Sequence, residues 1–282
     1  KNAHSKLIDI NKVDLDDKKV YELFANGRTT GIFQFESEGM QEYLKQLKPS
    51  SIADLIAMNA LYRPGPMANI PEFISRKNGT SKIKYLHPNL EPILKETYGI
   101  IVYQEQVMQI SQIIGGFTLA QGDMLRRAMG KKKADVMAAF KVDFIEGAKK
   151  QNYDKKMAME IFELLEKFAQ YGFNKSHSTA YALVAYQTAW LKTYYAAEFM
   201  AANLSSEMDD TDRVVKLLES AKKMDIEIIP PDVNTSYEEF RAINSSCIAY
   251  GMAAIKNVGS KAAQAISYNR DELGNYKTIF DL

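Results

Sequence analysis

Two short segments of the sequence concentrate side chains that bind phosphate groups. The first reads Leu125-Arg-Arg-Ala-Met-Gly-Lys-Lys-Lys133. Its arginines and lysines flank a glycine that ends or bends a helix, so the charge lies on a short exposed piece of backbone. Guanidinium groups bind phosphate oxygens in a bidentate manner, whereas ammonium groups act as mobile point charges. The segment predicts an anion site, and a solvated helix end whose lysines complement the helix dipole stays open as the alternative.

The second segment reads Tyr171-Gly-Phe-Asn-Lys-Ser-His-Ser178. Ser176 and Ser178 are good N-cap residues, which predicts a helix that begins at one of them, with Lys175 and His177 beside free backbone N–H groups. The rings of Tyr171 and Phe173 offer flat faces for a base or a sugar. An ordinary capped helix with a surface histidine is the alternative. The basic segment about fifty residues upstream favours phosphate binding.

A third segment, Ala254 to Ile266, has the pattern of a helix-hairpin-helix. It predicts a short helix, a tight turn at Gly259 and a second helix capped by Ser260. Such a hairpin offers backbone N–H groups to one DNA phosphate without reading base sequence. Asn257 replaces the second glycine of the usual motif, and asparagine tolerates the left-handed backbone better than other non-glycine residues. A plain turn between two helices is the alternative.

The usual motifs for zinc, for a Walker loop and for two Mg²⁺ ions are missing from the sequence. The three histidines are scattered and have no cysteine pair beside them, so no zinc site is expected. No Walker loop is present, and no pair of strand carboxylates offers ligands for two Mg²⁺ ions. Asp14, Asp16 and Asp17 are interpreted as the first turn of a helix over Lys18–Phe24. We therefore expect neither catalytic nor metal-binding residues within this chain.

Helical periodicity dominates the elements that must position these segments. Three apolar stripes are predicted to face the core: Ile161, Leu164, Leu165 and Phe168 before a capping Gly172; Tyr181, Val184, Ala185, Thr188 and Leu191; and Val136, Phe140 and Phe144. Gly99–Tyr103 is the best strand candidate, and a helix should follow from Gln104 to Ile114. Pro64 and Pro66 predict a rigid non-helical turn.

Two consecutive prolines, Pro230 and Pro231, mark the clearest boundary and are expected to end the helix before them. The predicted fold is mainly α with a few short strands, and the predicted domains are residues 1–230 and 231–282.

Composition adds few constraints. The chain has 282 residues and a net charge of +1, but its basic residues are concentrated between Met124 and Lys156. The single Cys247 fits a reducing cytosol, and no apolar run reaches the length of a membrane span. The first and last residues look like cut ends, which suggests a fragment.

Five blocks taken together resemble one family. They are Gly31-Ile-Phe-Gln-Phe-Glu-Ser-Glu-Gly-Met40, Ala60-Leu-Tyr-Arg-Pro-Gly-Pro-Met67, Tyr98-Gly-Ile-Ile-Val-Tyr-Gln-Glu-Gln-Val-Met108, the segment from Leu125 and the segment from Tyr171. In this order they are similar to signature blocks of the bacterial DNA polymerase III α subunits, and their forms match the general replicase branch rather than the branch with a built-in exonuclease.

The resemblance implies a multi-helix polymerase fingers domain followed by a helix-hairpin-helix element. It implies a parent DNA-directed DNA polymerase of the cytoplasm that uses Mg²⁺, whose palm aspartates lie outside this chain. The implied partners are the incoming dNTP, primer-template DNA and, through other regions, the sliding clamp and further replisome subunits. This fragment alone is expected to be inactive and to bind no metal.

Site residues follow from the same resemblance. The implied nucleotide-binding residues are Arg126, Arg127, Lys175, His177, Ser178 and Tyr171, with His177 near the sugar, where it would help exclude a ribose 2′-hydroxyl. The residues assigned to DNA are Lys131, Lys132, Lys256, Asn257, Gly259 and Lys261. Arg63, Gln104 and Glu105 match recurring positions for which packing or loop fixing is the favoured role.

Two other interpretations stay open at this point. One is a non-catalytic DNA-binding or scaffold module with a helix-hairpin-helix, which would lack palm carboxylates upstream of Lys1. The other is an unrelated nucleotide-binding regulatory domain, which would leave the hairpin without a purpose.

Overall fold

A computed structural model describes residues 8–131, 134–169 and 171–282. These residues are mainly helical, with one small three-stranded sheet, as the sequence predicts. Within the described ranges, no helix is both long and apolar enough to cross a membrane.

The helices are numbered in chain order. The first seven are α1 Lys18–Ala25, α2 Glu38–Leu47, α3 Ile52–Leu61, α4 Ile70–Lys77, α5 Glu91–Leu94, α6 Gln104–Ile113 and α7 Leu119–Lys131. The next six are α8 Ala134–Lys150, α9 Lys155–Ala169, α10 Lys175–Tyr194, α11 Ala196–Ser206, α12 Thr211–Lys222 and α13 Ser260–Leu273. The strands are β1 Glu227–Ile229, β2 Arg241–Asn244 and β3 Cys247–Ala249.

One compact unit comprises Phe24–Gly27 and Glu38–Val184. Its core gathers apolar side chains from α5 to α9, around the buried rings of Phe144 and Phe162. The approach of α8 to the turn after α6 requires glycine, because a Cβ on Gly147 would lie 1.8 Å from the carbonyl oxygen of Gly115. This packing fixes α6 and α7, which carry several of the predicted site residues.

The other unit comprises residues 8–23, Arg28–Ser37 and Ala185–Leu282. Its core packs α11 and α12 against the sheet. The strand order is β1-β3-β2, with β1 parallel and β2 antiparallel to β3.

The sheet corrects the expectation for Pro230 and Pro231. The element before them is strand β1, and the last helix, α12, has already ended at Lys222. Strands on both sides of the prolines pair in one sheet, and the compact unit that contains them includes Ala185–Leu282.

The hairpin has a shorter first helix than expected. A single 3₁₀ turn, Met252–Ala254, precedes Asn257, whose φ of 71° is left-handed as the residue type permits. Gly259, not Ser260, is the N-cap of α13, and Ser260 is its first residue.

The predicted helix faces of α8, α9 and α10 agree with the structure only in part. In α10 the buried residues are Ser178, Ala182, Ala185, Tyr186, Ala189 and Lys192, whereas Val184 is 44% exposed. In α9 Ile161, Leu165 and Phe168 are buried as predicted, but Leu164 is 46% exposed and Phe162 takes its place. In α8 Phe144 is buried, while Val136 is exposed.

Two expectations about local elements have opposite outcomes. The strand predicted over Gly99–Tyr103 is not regular, since its only ladder contact in the described parts of the chain is a single parallel bridge between Tyr103 and Phe173. The helix start at Asp17 is confirmed, because its carboxylate accepts the N–H of Lys19 at 2.9 Å just inside α1.

Candidate nucleotide and DNA sites

Gln104 joins helix α7, which carries Arg126, to the segment Tyr171–Ser178. Its side-chain carbonyl accepts from Arg126 Nη1 at 3.1 Å, and its amide donates to the carbonyl of Gly172 at 3.0 Å. Its backbone N–H also donates to the carbonyl of Phe173 at 2.9 Å. The first residue of α6 therefore connects Arg126 on α7 with the segment that leads into α10.

Arg126 and Arg127 share one carboxylate. Asp123 Oδ1 accepts from Arg126 Nε at 2.9 Å and from Nη2 at 2.8 Å, and Asp123 Oδ2 lies 2.8 Å from Arg127 Nε. Hydrogen bonding from Arg126, helped by the charges of both arginines, holds the pKa of Asp123 below its usual value. Arg126 is directed by three contacts, whereas Arg127 has a side chain that is 69% exposed. The two neighbours are thus unequally ordered.

Lys175 is paired with a different carboxylate. Its Nζ lies 2.7 and 2.8 Å from the two oxygens of Glu96, and 5.4 Å from the ring centre of Tyr103. Its backbone N–H donates to the carboxylate of Glu105 at 3.0 and 3.1 Å. All three predicted triphosphate-binding cations therefore lie against carboxylates in this structure.

The start of α10 differs from the prediction. The helix begins at Lys175, and the side chain of Asn174, not a serine, accepts the N–H of His177 at 2.9 Å. Because Asn174 and Glu105 already accept N–H groups of the first turn, an anion at this helix end would have to displace a carboxylate or be held by side chains.

His177 and Ser178 have opposite exposures. The imidazole of His177 is exposed and lies 5.5 Å from the ring centre of Phe173 and 4.2 Å from that of Tyr181. Ser178 is fully buried, and its hydroxyl donates to the carbonyl of Ile56 at 2.5 Å. The hydroxyl of Ser178 therefore anchors α10 to α3, and its contact with a nucleotide stays a prediction.

Tyr171 is held by the Arg-Pro-Gly-Pro turn. Arg63 donates to the carbonyl oxygens of Tyr171 and Ala60, and its guanidinium lies 4.7 Å from the ring centre of Phe173. Gly65 has φ 99°, and a Cβ there would lie 2.3 Å from the ring of Tyr171. These contacts show that Arg63 fixes a loop, as the sequence suggested, and Gln104 and Glu105 do the same.

The DNA-binding expectations can be located only in part. Helix α7 continues through Gly130, which was expected to end or bend it, and its last residue is Lys131. Lys132 lies outside the described residues. In the hairpin, Lys256, Asn257, Gly259 and Lys261 are all exposed. A Cβ on Gly259 would meet no atom within 4 Å. The protein's own packing thus leaves room for close approach at Gly259.

The acidic residues near the start of α1 accept hydrogen bonds from the protein itself. No group of three or more His, Cys, Asp or Glu residues is arranged for a metal within the described parts of the chain. Asp17 accepts hydrogen bonds from Lys19 N–H and the Tyr194 hydroxyl, and Asp14 accepts the N–H of Asp16. These carboxylate oxygens accept N–H groups at the start of α1 and in the loop before it.

Comparison with known proteins decides the family. Residues 1–152 match the family model described as bacterial DNA polymerase III alpha subunit finger domain. The chain belongs to this family. Residues 225–282 match the model of a helix-hairpin-helix motif.

Relatives of this family cover almost the whole chain. The DNA polymerase III subunits alpha of Borreliella burgdorferi, Pseudomonas aeruginosa and Escherichia coli K12 are 52%, 51% and 48% identical over 96%, 97% and 98% of it. In each case the chain spans 24% of the relative's length. It thus corresponds to the fingers and helix-hairpin-helix regions of a DNA polymerase III α subunit.

We call Arg126, Arg127, Lys175 and His177 the fingers site. Three residues that contact it, Asp123, Asn174 and Glu96, were missed from the sequence, and for Glu105 the contact with Lys175 was missed. Asp123 lies three and four residues before the two arginines, a spacing at which helical side chains meet. Asn174 lies three residues before His177, which is the spacing of an N-cap. Glu96 and Glu105 have no such local signal, because they meet Lys175 only through tertiary packing.

Proposed function

We propose that the parent protein is a DNA-directed DNA polymerase of bacterial replication and that this chain binds the incoming dNTP and the primer-template. In nucleotidyl transfer the primer 3′-hydroxyl attacks the α-phosphate, and pyrophosphate leaves. The observation that carries the proposal is the link through Gln104, which brings Arg126 and the Lys175 segment onto one framework.

The fingers' contribution is electrostatic. Arg126, Arg127 and Lys175 would exchange the carboxylates of Asp123 and Glu96 for oxygens of the triphosphate. Negative charge on the leaving pyrophosphate would then be stabilised by donors that are already oriented, so little reorganisation is needed during the reaction. Arg126 is the best-oriented donor, since Asp123 and Gln104 fix both edges of its guanidinium.

His177 is proposed to face the sugar. Its exposed imidazole continues the row of rings formed by Phe173 and Tyr181, which gives a flat and bulky wall beside Lys175. A wall at this place would clash with a ribose 2′-hydroxyl. Replacement His177→Ala should therefore raise incorporation of ribonucleotides relative to deoxyribonucleotides, and an unchanged ratio would contradict the assignment.

Mg²⁺ is proposed to bind the parent protein elsewhere. When bound, it would activate the primer hydroxyl and neutralise phosphate oxygens. Asp14 and Asp17, the carboxylates that most resemble a metal cluster in the sequence, accept hydrogen bonds within this chain, so the ligands are assigned to regions beyond it.

The hairpin is proposed to hold duplex DNA by its backbone. Asn257 in the left-handed conformation forms the turn, and the first N–H groups of α13 have no acceptor within the helix. Lys256 and Lys261 supply charge on either side of Gly259, together with Lys131 and Lys132 in the basic segment. The sliding clamp and other replisome subunits would bind regions outside this chain, in the bacterial cytoplasm.

Primer extension tests the division of labour. The purified chain, with Mg²⁺ and four deoxynucleotides, should not extend a primer, whereas the full-length protein should. Extension by the chain, after removal of contaminating polymerase, would show that its own carboxylates bind the metal. A full-length protein that binds DNA but never extends a primer would instead identify a scaffold with a helix-hairpin-helix.

A further inference from the structure

The unit that carries the nucleotide-site candidates also contains an apolar cavity of about 440 Å³. It lies between α4 on one side and α5, α6 and α9 on the other. Its walls are mainly aliphatic and aromatic and include Leu90, Leu94, Ile101, Ile110, Ile161 and Phe168. This volume is within the range of small-molecule sites, which are concave and mostly apolar.

The mouth of the cavity is apolar and cationic. Leu86 and Leu164 line it and are 42% and 46% exposed. Lys84 and Lys167 also line it, are exposed, and form no ion pair among the described residues. The one acidic lining residue, Glu72, is bound to Arg76 at 2.6 Å. The cavity therefore complements a molecule with an apolar body and a negative end.

Tyr171 connects this cavity to the fingers site. Its side chain lines the cavity, its ring lies against Gly65, and its carbonyl accepts from Arg63. The next residue, Gly172, is hydrogen-bonded to Gln104, which also holds Arg126. A ligand that moves Tyr171 would thus pull on the segment that begins α10 and positions Lys175.

We propose that this cavity binds a small amphiphilic anion, an aryl carboxylate or sulfonate, and that its occupancy weakens dNTP binding through Tyr171. The binding half concerns the cavity alone. The coupling half rests on the nucleotide-binding role proposed above.

Binding can be tested with anilinonaphthalene sulfonate and the full-length protein. We expect saturable fluorescence enhancement from one class of site. Leu164→Trp, which fills the mouth of the cavity, should abolish this enhancement. Lys167→Glu should lower the affinity for the dye about five-fold, because it reverses the charge at the mouth. Both replaced residues are exposed, so the fold should survive, and circular dichroism checks this.

Matched controls lie on α8. Val142→Trp adds an indole at a side chain that is 57% exposed and outside the cavity, and Lys149→Glu reverses a charge in a last helical turn, as Lys167→Glu does. Neither should change dye affinity. Dye binding that is unaffected by Leu164→Trp and Lys167→Glu, or the absence of saturable binding, would overturn the proposal.

Coupling is measured as the KM for dNTP in primer extension with and without saturating dye. KM should rise about three-fold in the wild type and stay constant in Leu164→Trp. A constant KM in the wild type with dye bound would refute the coupling. If Arg126→Ala and Lys175→Ala also leave KM unchanged, the proposed nucleotide role fails, while dye binding still reports on the cavity.

Discussion

Arg126, Arg127 and Lys175 in the fingers site each lie within 2.8 Å of a carboxylate oxygen, whereas Lys256 and Lys261 in the hairpin are exposed and form no ion pair among the described residues. The first group is held in place before any ligand arrives. The second group is exposed to solvent and can meet any phosphate that approaches.

This difference bears on selectivity. A cation that already has a carboxylate partner gains from a new anion only if that anion offers more charge or better geometry, which favours a triphosphate over a single phosphate. An unpaired surface lysine gains from any phosphate by releasing counterions, so its contribution is non-specific and depends on salt. The fingers site should therefore discriminate among ligands, and the hairpin should hold DNA of any sequence.

The largest effect is expected from Arg126→Ala in the full-length protein. The fall in kcat/KM for dNTP should correspond to a loss of about 1.5–3 kcal/mol of transition-state stabilisation, because a charged and oriented hydrogen bond is lost. Arg127→Ala should cost less, since Arg127 is more exposed and has fewer contacts. Steady-state primer extension at low and high salt measures both. Equal losses of kcat/KM for the two variants, or losses that disappear at high salt, would show that the fingers site binds phosphate as non-specifically as the hairpin.

The next effect concerns the framework of the fingers site. Gln106 is buried, accepts the N–H groups of Val102 and Tyr103, and donates to Ile93 and Thr97. Gln106→Ala should lower the free energy of unfolding by about 2–3 kcal/mol, because buried backbone groups lose their partners.

Urea denaturation measures this change. Gln109→Ala on the same helix is the matched control and should cost less than about 0.5 kcal/mol. Similar losses for both variants would mean that the polar contacts of Gln106 do not fix the loop before α6.

The hairpin should respond through salt rather than stability. Removing both lysines, Lys256→Ala with Lys261→Ala, should reduce the slope of log K against log salt for duplex binding by about 2. Lys216→Ala on α12 removes an exposed lysine away from the hairpin and should leave the slope unchanged. Fluorescence anisotropy with two unrelated duplexes at several salt concentrations tests this. An unchanged slope, or a preference for one duplex, would contradict backbone binding.

The smallest expected effect is on stability and comes from a buried lysine. It adds a third environment to the carboxylate-paired cations of the fingers site and the exposed lysines of the hairpin. Lys192 is 1% exposed and donates to the carbonyl oxygens of Arg28 and Thr30. Burial lowers its pKa from 10.5 to about 8. Between these values the unfolded chain keeps a proton that the folded protein has lost, so stability rises with pH in that window.

The wild type should therefore gain about 1 kcal/mol of unfolding free energy between pH 7 and pH 9 relative to Lys192→Met, which has no such group. Urea denaturation of both proteins at the two pH values measures the difference. A difference that is independent of pH would show that Lys192 keeps its ordinary pKa despite its burial.

Local signals in the sequence predicted where helices and turns lie better than which side of a helix is buried. The helix after Gln104, the turn at Pro64 and the helix start at Asp17 depend on neighbouring residues, and all three are present. The stripe predicted for α10 included Val184, which is exposed, and Ala185, which is buried as predicted. The structure also buries Ala182 and Ala189, whose small side chains permit close packing.

Tertiary contacts account for what the sequence did not predict. Glu96 and Glu105 are distant from Lys175 in sequence, so no spacing rule identifies them as its partners. Ser178 was predicted as an N-cap from its residue type, but its hydroxyl donates to the carbonyl of Ile56, which is distant in sequence. The strand predicted over Gly99–Tyr103 failed because, within the described residues, it pairs only through a single bridge between Tyr103 and Phe173.

Triphosphate selectivity tests the central claim most directly. Equilibrium binding of a deoxynucleoside triphosphate and of the matching monophosphate should be measured with the full-length protein, the wild type beside the double variant Arg126→Ala, Lys175→Ala. The wild type should prefer the triphosphate, and the double variant should lose at least about ten-fold of that preference while binding the monophosphate as before. A preference that survives in the double variant would show that these paired cations do not bind the triphosphate.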